Sequence, residues 1–175
     1  MSFDVSKELL QLPEKVLFLH ANCVHPSLLA QWHGRSIVIG ARFPWKEDSD
    51  DDCSIMGGPT VTNTALKAAI EMGCSNVLLS GVDLCYAKSG VSYASDSNEA
   101  NIGPTIGEPG LLVETYAGHM AETLIEYDNA VIQLSRQAET AKTQGVNIYN
   151  LSENAAKAAH ISHIPTTALS FENEE

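Results

Sequence analysis

Positive charge is scarce in this sequence. Lysine and arginine together number 10 against 22 aspartates and glutamates, a formal net charge of −12 at neutral pH. A surface this acidic repels a phosphate backbone, so nucleic-acid binding is not expected. Long apolar runs are missing too. Nothing approaches the roughly 20 consecutive apolar residues of a membrane-spanning helix, so no membrane partner is expected. The N-terminus, Met1-Ser2-Phe3-Asp4, has an early acid and no basic stretch ahead of an apolar one, unlike a secretory signal. The 4 cysteines, Cys23, Cys53, Cys74 and Cys85, are irregularly spaced and form no CxxC pair. They read as free thiols of a reducing compartment, and the chain is expected in the cytoplasm. His20, His25 and His33 lack zinc-ligand spacing such as HExxH, and there is no GxSxG for a serine hydrolase. Asp48, Asp50 and Asp52 match a loose DxD pattern, but inside the acidic run 47–52 they read as a solvated loop.

The chain has 175 residues, 44% of them hydrophobic, enough for one domain with its own core. A single domain is expected over residues 1–170, with an acidic tail at 171–175. Lys15–Ala21 and Ser36–Ala41 are short apolar runs that read as strands, with a short helix between them opening at Pro26. Thr60 or Thr62 is placed to cap a helix over 61–72 that ends at Gly73. Asn76–Ser80 (NVLLS) is the strongest strand signal and is expected to be central and buried. Residues 87–112 are rich in Gly, Ser, Asn and Pro and read as a mobile, lid-like loop. A long helix is expected from about Gly118 to Thr143, then a strand over Val146–Leu151 and a short helix over Ala155–Ala159. Strands alternating with helices imply an α/β fold, a Rossmann-like three-layer sandwich with a mainly parallel sheet.

Ligands in such folds sit beyond the carboxyl ends of the strands. Two loops fall there. Gly57-Gly58-Pro59-Thr60-Val61-Thr62 opens a helix whose free N–H groups and positive dipole end suit a phosphate or carboxylate; it equally serves as a plain capped turn. Gly81-Val82-Asp83 ends the strongest strand and carries an acid that either acts on a ligand or caps a turn. Tyr86 and Tyr93 flank the lid and offer hydroxyls to phosphate oxygens, or pack at a surface. His119 is the one imidazole near the start of the long helix, a general base or a bystander.

Gly57–Tyr86 (GGPTVTNTALKAAIEMGCSNVLLSGVDLCY) resembles the central segment of the bacterial motility accessory factor family, associated with flagellin glycosylation. That family shares a domain with archaeal 6-hydroxymethyldihydropterin pyrophosphokinases. The pattern is a glycine turn, a helix ending in Met-Gly-Cys, an apolar strand, and Gly-x-Asp-Leu-x-Tyr. Val113-Glu114-Thr115 and Gly145–Ser152 (GVNIYNLS) continue it, and the likeness runs from about residue 53 to 160. Ser80-Gly81-Val82-Asp83 is also similar to the strand end of bacterial sialyltransferases of related fold. In those enzymes tyrosines bind the donor phosphate and a His near the next long helix is the base; Tyr86, Tyr93 and His119 are the matching positions.

The resemblance implies a glycosyltransferase-like domain taking a nucleotide-activated sugar, of the CMP–nonulosonic acid type, to flagellin or a glycan acceptor. It implies His119 and Asp83 as catalytic residues and Gly57, Gly58, Thr60, Thr62, Gly81, Tyr86 and Tyr93 as ligand-binding residues, with no metal. The enzyme alternative is ATP-dependent pyrophosphoryl transfer to a hydroxymethylpterin, which needs Mg²⁺. The family's Gly-x-Gly-Pro-Ser-Leu-like nucleotide loop is not found before Lys15. The chain is therefore expected to be the C-terminal part of the domain, and the non-enzyme alternative is an inactive binding or assembly module. A homo-oligomer would be compatible with that module.

Overall fold

The computed structural model describes residues 16–21, 24–39, 58–86 and 110–170. The acidic run 47–52, Gly57, Tyr93, lid residues 87–109 and the tail 171–175 lie outside the described residues. The chain divides into two compact units, Met1–Met56 and Gly57–Glu175.

In the first unit, strand β1 (Phe18–His20) pairs in parallel with β2 (Ser36–Val38), and helix α1 (Pro26–Leu29) lies on the connection between them. The parallel pairing follows from that crossover, since a tight hairpin would have turned the second strand around. Phe18 anchors the unit. Its ring centroid is 5.2 Å from those of both His20 and Trp32, and the Trp32 indole N–H donates to Arg35 O.

The second unit begins with helix α2 (Val61–Glu71), followed by β3 (Asn76–Leu79). An antiparallel hairpin of β4 (Leu111–Glu114) and β5 (Met120–Thr123) precedes the long helix α3 (Ile125–Thr143). The chain ends through β6 (Asn147–Asn150) and β7 (Ser162–His163). Strands β3, β6 and β7 form a parallel sheet in the order β3-β6-β7, with Leu79, Asn150 and His163 at one level. Each helix reaches its following strand through a short turn and so runs back along it. The starts of α2 and α3 therefore face the carboxyl ends of the strands. The core lies between helices and sheet, around Leu66, Leu79, Val131, Leu134, Ala138, Ala141 and Ile148. The mixed α/β fold with a mainly parallel sheet is as expected.

Four expectations need correction. The long helix starts at Ile125, not Gly118, because Met120–Thr123 alternates exposed and buried side chains and pairs with β4 as a strand. Residues 111 and 112, assigned to the lid, begin that hairpin. Among the described residues β3 is an edge strand of its sheet, with Asn76 and Leu78 exposed and only Leu79 fully buried. Its apolar run signals a strand without specifying a position in the sheet. Ala155–Ala159 forms no helix; its backbone is drawn into hydrogen bonds with the hairpin and with the loop after β3.

A buried polar hub joins the two helices. Thr60 caps α2, and its N–H and hydroxyl donate to Asn63 Oδ1 at 3.3 and 2.7 Å, while its Oγ1 accepts the Asn63 N–H. Asn63, fully buried at 0% exposure, donates from Nδ2 to Ala130 O and Gln137 Oε1 on α3. Gln137 Nε2 returns a bond to Asn63 O at 3.0 Å. Gly58 passes so close to α3 that a Cβ there would lie 2.7 Å from Gln133 Cγ. Truncating Asn63 leaves the Thr60 donors without their acceptor and removes both of the side-chain bonds it gives to α3. Asn63→Ala is expected to cost about 2–4 kcal/mol, against about 1 kcal/mol for Thr60→Ala, in urea unfolding. Equal costs would mean that the hub adds nothing beyond an ordinary helix cap.

Candidate functional site

The carboxyl ends of β3 and β6 are tied by one side chain. Asn150, the last residue of β6 and 3% exposed, donates from Nδ2 to Val82 O at 3.0 Å. Its Oδ1 accepts the Ser152 N–H at 2.9 Å, and its carbonyl accepts from Ile164 N at 3.1 Å. The loop Gly81-Val82-Asp83 is thus held by its middle residue. Gly81 has φ +67°, a left-handed conformation, and open space where a Cβ would stand. A ligand can approach the backbone there. Leu84 is also left-handed, at φ +52°, and its carbonyl accepts from the Thr123 hydroxyl at 2.7 Å. A non-glycine residue held this way is a mark of local strain.

The segment Ala155–Lys157 joins this loop to the hairpin. On one side Ala156 N donates to Asp83 O at 2.8 Å. On the other, Tyr116 N donates to Ala155 O and Lys157 N to Glu114 O, an antiparallel bridge between Thr115 and Ala156. Asp83 and Thr115 therefore flank a single extended segment, about two strand spacings or roughly 10 Å apart across it. The Asp83 side chain is exposed.

His119 lies in that turn, directly across from Thr115, and not on the long helix. Thr115 N donates to His119 O at 2.9 Å, and the His119 ring stands 3.2 Å from the Thr115 hydroxyl. The backbone order is thus Asp83, Ala156, Thr115, His119, which sets His119 about three strand spacings, or roughly 15 Å, from Asp83. Gly58, Thr60 and Thr62 sit at the start of α2. The hydroxyl and N–H of Thr60 are committed to Asn63, so the donors left for a ligand are the N–H groups at the first helical positions, Val61 and Thr62. Tyr86 is turned inward, 4% exposed, with its ring centroid 6.3 Å from that of Tyr127. Gly57 and Tyr93 lie outside the described residues.

Sequence reasoning missed Asn150, Thr115 and His163. His163 stands level with Asn150 on β7, its Nδ1 3.0 Å from Asn150 O and its ring 6.0 Å from Tyr116. The one available signal was Asn150 itself, a polar residue closing an otherwise alternating strand ahead of Ser152. Among the described residues no three His, Cys, Asp or Glu side chains are grouped to hold a metal, and no helix is long and apolar enough to cross a membrane.

Burial pushes the Cys85 thiol up, the Asp83 carboxylate adds to the rise, and the Ala156 backbone opposes it. Its S–H donates to Asn154 O at 3.2 Å. Tyr116 is likewise raised by burial, against the opposing Ala158 backbone.

The parallel sheet with helices running back along its strands, and with its loops gathered at their carboxyl ends, defines a Rossmann-like α/β protein. Within that class, the chain belongs to the 6-hydroxymethylpterin diphosphokinase MptE-like family, whose model matches residues 1–89. The match reaches upstream of the segment in which the resemblance was legible. Among solved structures, the chain is similar to the MAf glycosyltransferase from Magnetospirillum magneticum AMB-1, at 17% identity and a TM-score of 0.65. The likeness covers 89% of this chain and 23% of that one, so this chain spans about a quarter of that protein's length. No curated protein matches the chain.

Two outcomes follow for stability. In Asn150→Asp a carboxylate oxygen replaces the amide donor facing Val82 O. Only the protonated acid can donate there, so its folded pKa rises above the unfolded value. The stabilisation is present at low pH and is lost as pH rises through the raised pKa. Relative to wild type, this variant should lose about 1–3 kcal/mol more at pH 7.5 than at pH 4.5 in urea melts. A pH-independent deficit would remove the bond to Val82 from the account. Cys85 and Tyr116, also raised, contribute stability below their ordinary pKa values, and it is lost as pH climbs through the raised ones. Unfolding free energy should fall between pH 8 and 10, less steeply in Cys85→Ala. An unchanged slope in that variant would show that the thiol does not titrate on unfolding.

Proposed function

We propose that the unit from Gly57 to Glu175 is a glycosyltransferase-like domain that binds a nucleotide-activated sugar, of the CMP–nonulosonic acid type, and passes the sugar to a hydroxyl of flagellin or a glycan. One observation carries this reading: Ala156 is shared by the Asp83 loop and, through its bridge to Thr115, by the turn bearing His119. A base and a strand-end loop open to a ligand are thereby fixed to one segment.

The chemistry divides among these parts. His119 takes the proton of the acceptor hydroxyl as its oxygen bonds to the anomeric carbon of the sugar. The bond from that carbon to the phosphate oxygen breaks, and its electron pair stays on the phosphate. The N–H groups of Val61 and Thr62, with the positive end of α2, stabilise that charge. Gly81 admits the nucleotide to the backbone, and the exposed Asp83 carboxylate accepts its hydroxyl hydrogens. Tyr93 supplies a hydroxyl to the phosphate. Tyr86, buried against Tyr127, serves by packing and not by contact with the ligand. With the donors supplied by backbone, this reaction needs no metal.

The family match favours a second reading, transfer of a diphosphate from ATP to a hydroxymethylpterin. Mg²⁺ would neutralise the triphosphate in that chemistry. In that reading Asp83, exposed at the strand end, would hold the ion together with the substrate's own phosphates.

Val61→Pro tests the anion site. Proline suits the first helical position, and Thr60, at φ −121° and ψ 161°, already has the extended backbone that a following proline requires. The substitution removes one donor and spares the helix. A hydrogen bond to a charged oxygen contributes about 1.5–3 kcal/mol, so CMP affinity should fall roughly ten-fold or more by calorimetry, with the melting temperature unchanged. Equal affinities would remove the start of α2 from the site. ATP with Mg²⁺ stabilising the protein where CMP does not would select the second reading. A stable oligomer indifferent to both would select a binding module.

A further inference from the structure

The hydroxyl of Thr115 lies between two atoms of His119. Oγ1 is 3.0 Å from the His119 carbonyl oxygen and 3.2 Å from ring Nδ1. Thr115 is fully buried, at 0% exposure. Neither the hydroxyl oxygen nor the carbonyl oxygen can attract the other unless the hydroxyl hydrogen lies between them. A threonine hydroxyl has one such hydrogen. With it directed at the carbonyl, Oγ1 presents a lone pair to the ring, and the proton of a neutral imidazole must sit on Nδ1.

We propose that Thr115 is the positioning residue of His119: its hydroxyl holds the neutral ring in the Nδ1–H tautomer and leaves the lone pair on Nε2, the atom that takes the acceptor proton. The tautomer assignment stands on the geometry alone, and the role of Nε2 rests on the glycosyltransfer reading above. A histidine ring free in water favours the opposite tautomer, with its proton on Nε2, where it has no lone pair to act as a base. The buried hydroxyl reverses that preference through a bond to the main chain of the same residue. The ring is thereby tied to the geometry of the turn, and the turn to Ala156 through the Thr115 bridge.

The test is nitrogen-15 NMR of the histidine rings in the full chain at pH about 8.5, where imidazoles are neutral. The His119 signals are identified by their loss in His119→Gln. Wild type and Thr115→Ser should show the Nδ1–H pattern, and Thr115→Val, which keeps the volume and loses the hydroxyl, should move toward Nε2–H. A wild-type ring protonated on Nε2, or an unchanged tautomer in Thr115→Val, overturns the proposal. Should the valine variant fail to fold, the wild-type and serine spectra still decide the assignment. In transfer from a nucleotide sugar, Thr115→Val should lower kcat roughly ten- to a hundred-fold with KM little changed, and Thr115→Ser should restore it. Equal kcat in wild type and Thr115→Val overturns the positioning role. A wild type that transfers no sugar sinks the glycosyltransfer reading, while the spectra still judge Thr115.

Discussion

The bond from the Asn150 side chain to Val82 O is the constraint on which the carboxyl edge of this sheet depends. A loop leaving a strand has backbone groups with no neighbour in the ladder, and burying them unpaired is costly. Here one carboxamide serves two of them, taking the Ser152 N–H on its oxygen and giving a hydrogen to Val82. Its own main chain meanwhile lies level with Leu79 and His163. The loop carrying Gly81 and Asp83 is therefore fixed in height relative to all three parallel strands. Ala156 can then meet Asp83 on one side and the hairpin on the other. Without the first bond, the second would have no defined partner.

The same economy appears at the other helix. Asn63 closes the cap of α2 with its oxygen and reaches α3 with its nitrogen. Both asparagines use the two ends of a carboxamide to join a local motif to a distant element. A carboxylate could not do this, having no donor at neutral pH, and an aliphatic side chain would leave the Val82 carbonyl or the Thr60 donors unpaired. Apolar packing sets how the helices and sheet approach, while these two amides set their register at the edge where a ligand would bind.

Much of this was legible in the sequence. Thr60, the glycine turn before it and the apolar face of residues 61–72 specify a helix by local chemistry alone, and the structure places it at Val61–Glu71. The strand at Asn76–Leu79 and the ending of the long helix near Gly145 follow from similarly local signals. The start of that helix was not legible. Met120–Thr123 contains helix-forming residues, and it becomes a strand because β4 is there to pair with it, a non-local fact. His119 was consequently singled out for its chemistry and placed in the wrong element. The same limit applies to Ala155–Ala159: its alanines favour a helix, yet flanking backbone donors and acceptors draw them into an extended bridge.

The two transfers weighed above, of a sugar and of a diphosphate, make physical demands that overlap at one place. Sugar transfer from a nucleotide and diphosphate transfer from ATP both require a phosphate held against fixed donors, with a hydroxyl nucleophile delivered beside it. In the proposed site a helix start, a glycine that opens the backbone, and an imidazole would supply those needs without regard to which bond breaks. An overall charge of −12 makes the local donors more important, because nothing at long range draws an anion in. What separates the chemistries is how the charge on the leaving group is met: backbone N–H groups suffice for one phosphate, whereas a triphosphate calls for a cation. The hairpin between β3 and α3 serves either transfer. Through Thr115 it ties the turn bearing His119 to the segment that also meets Asp83, and a hydroxyl nucleophile gains from a base in both chemistries.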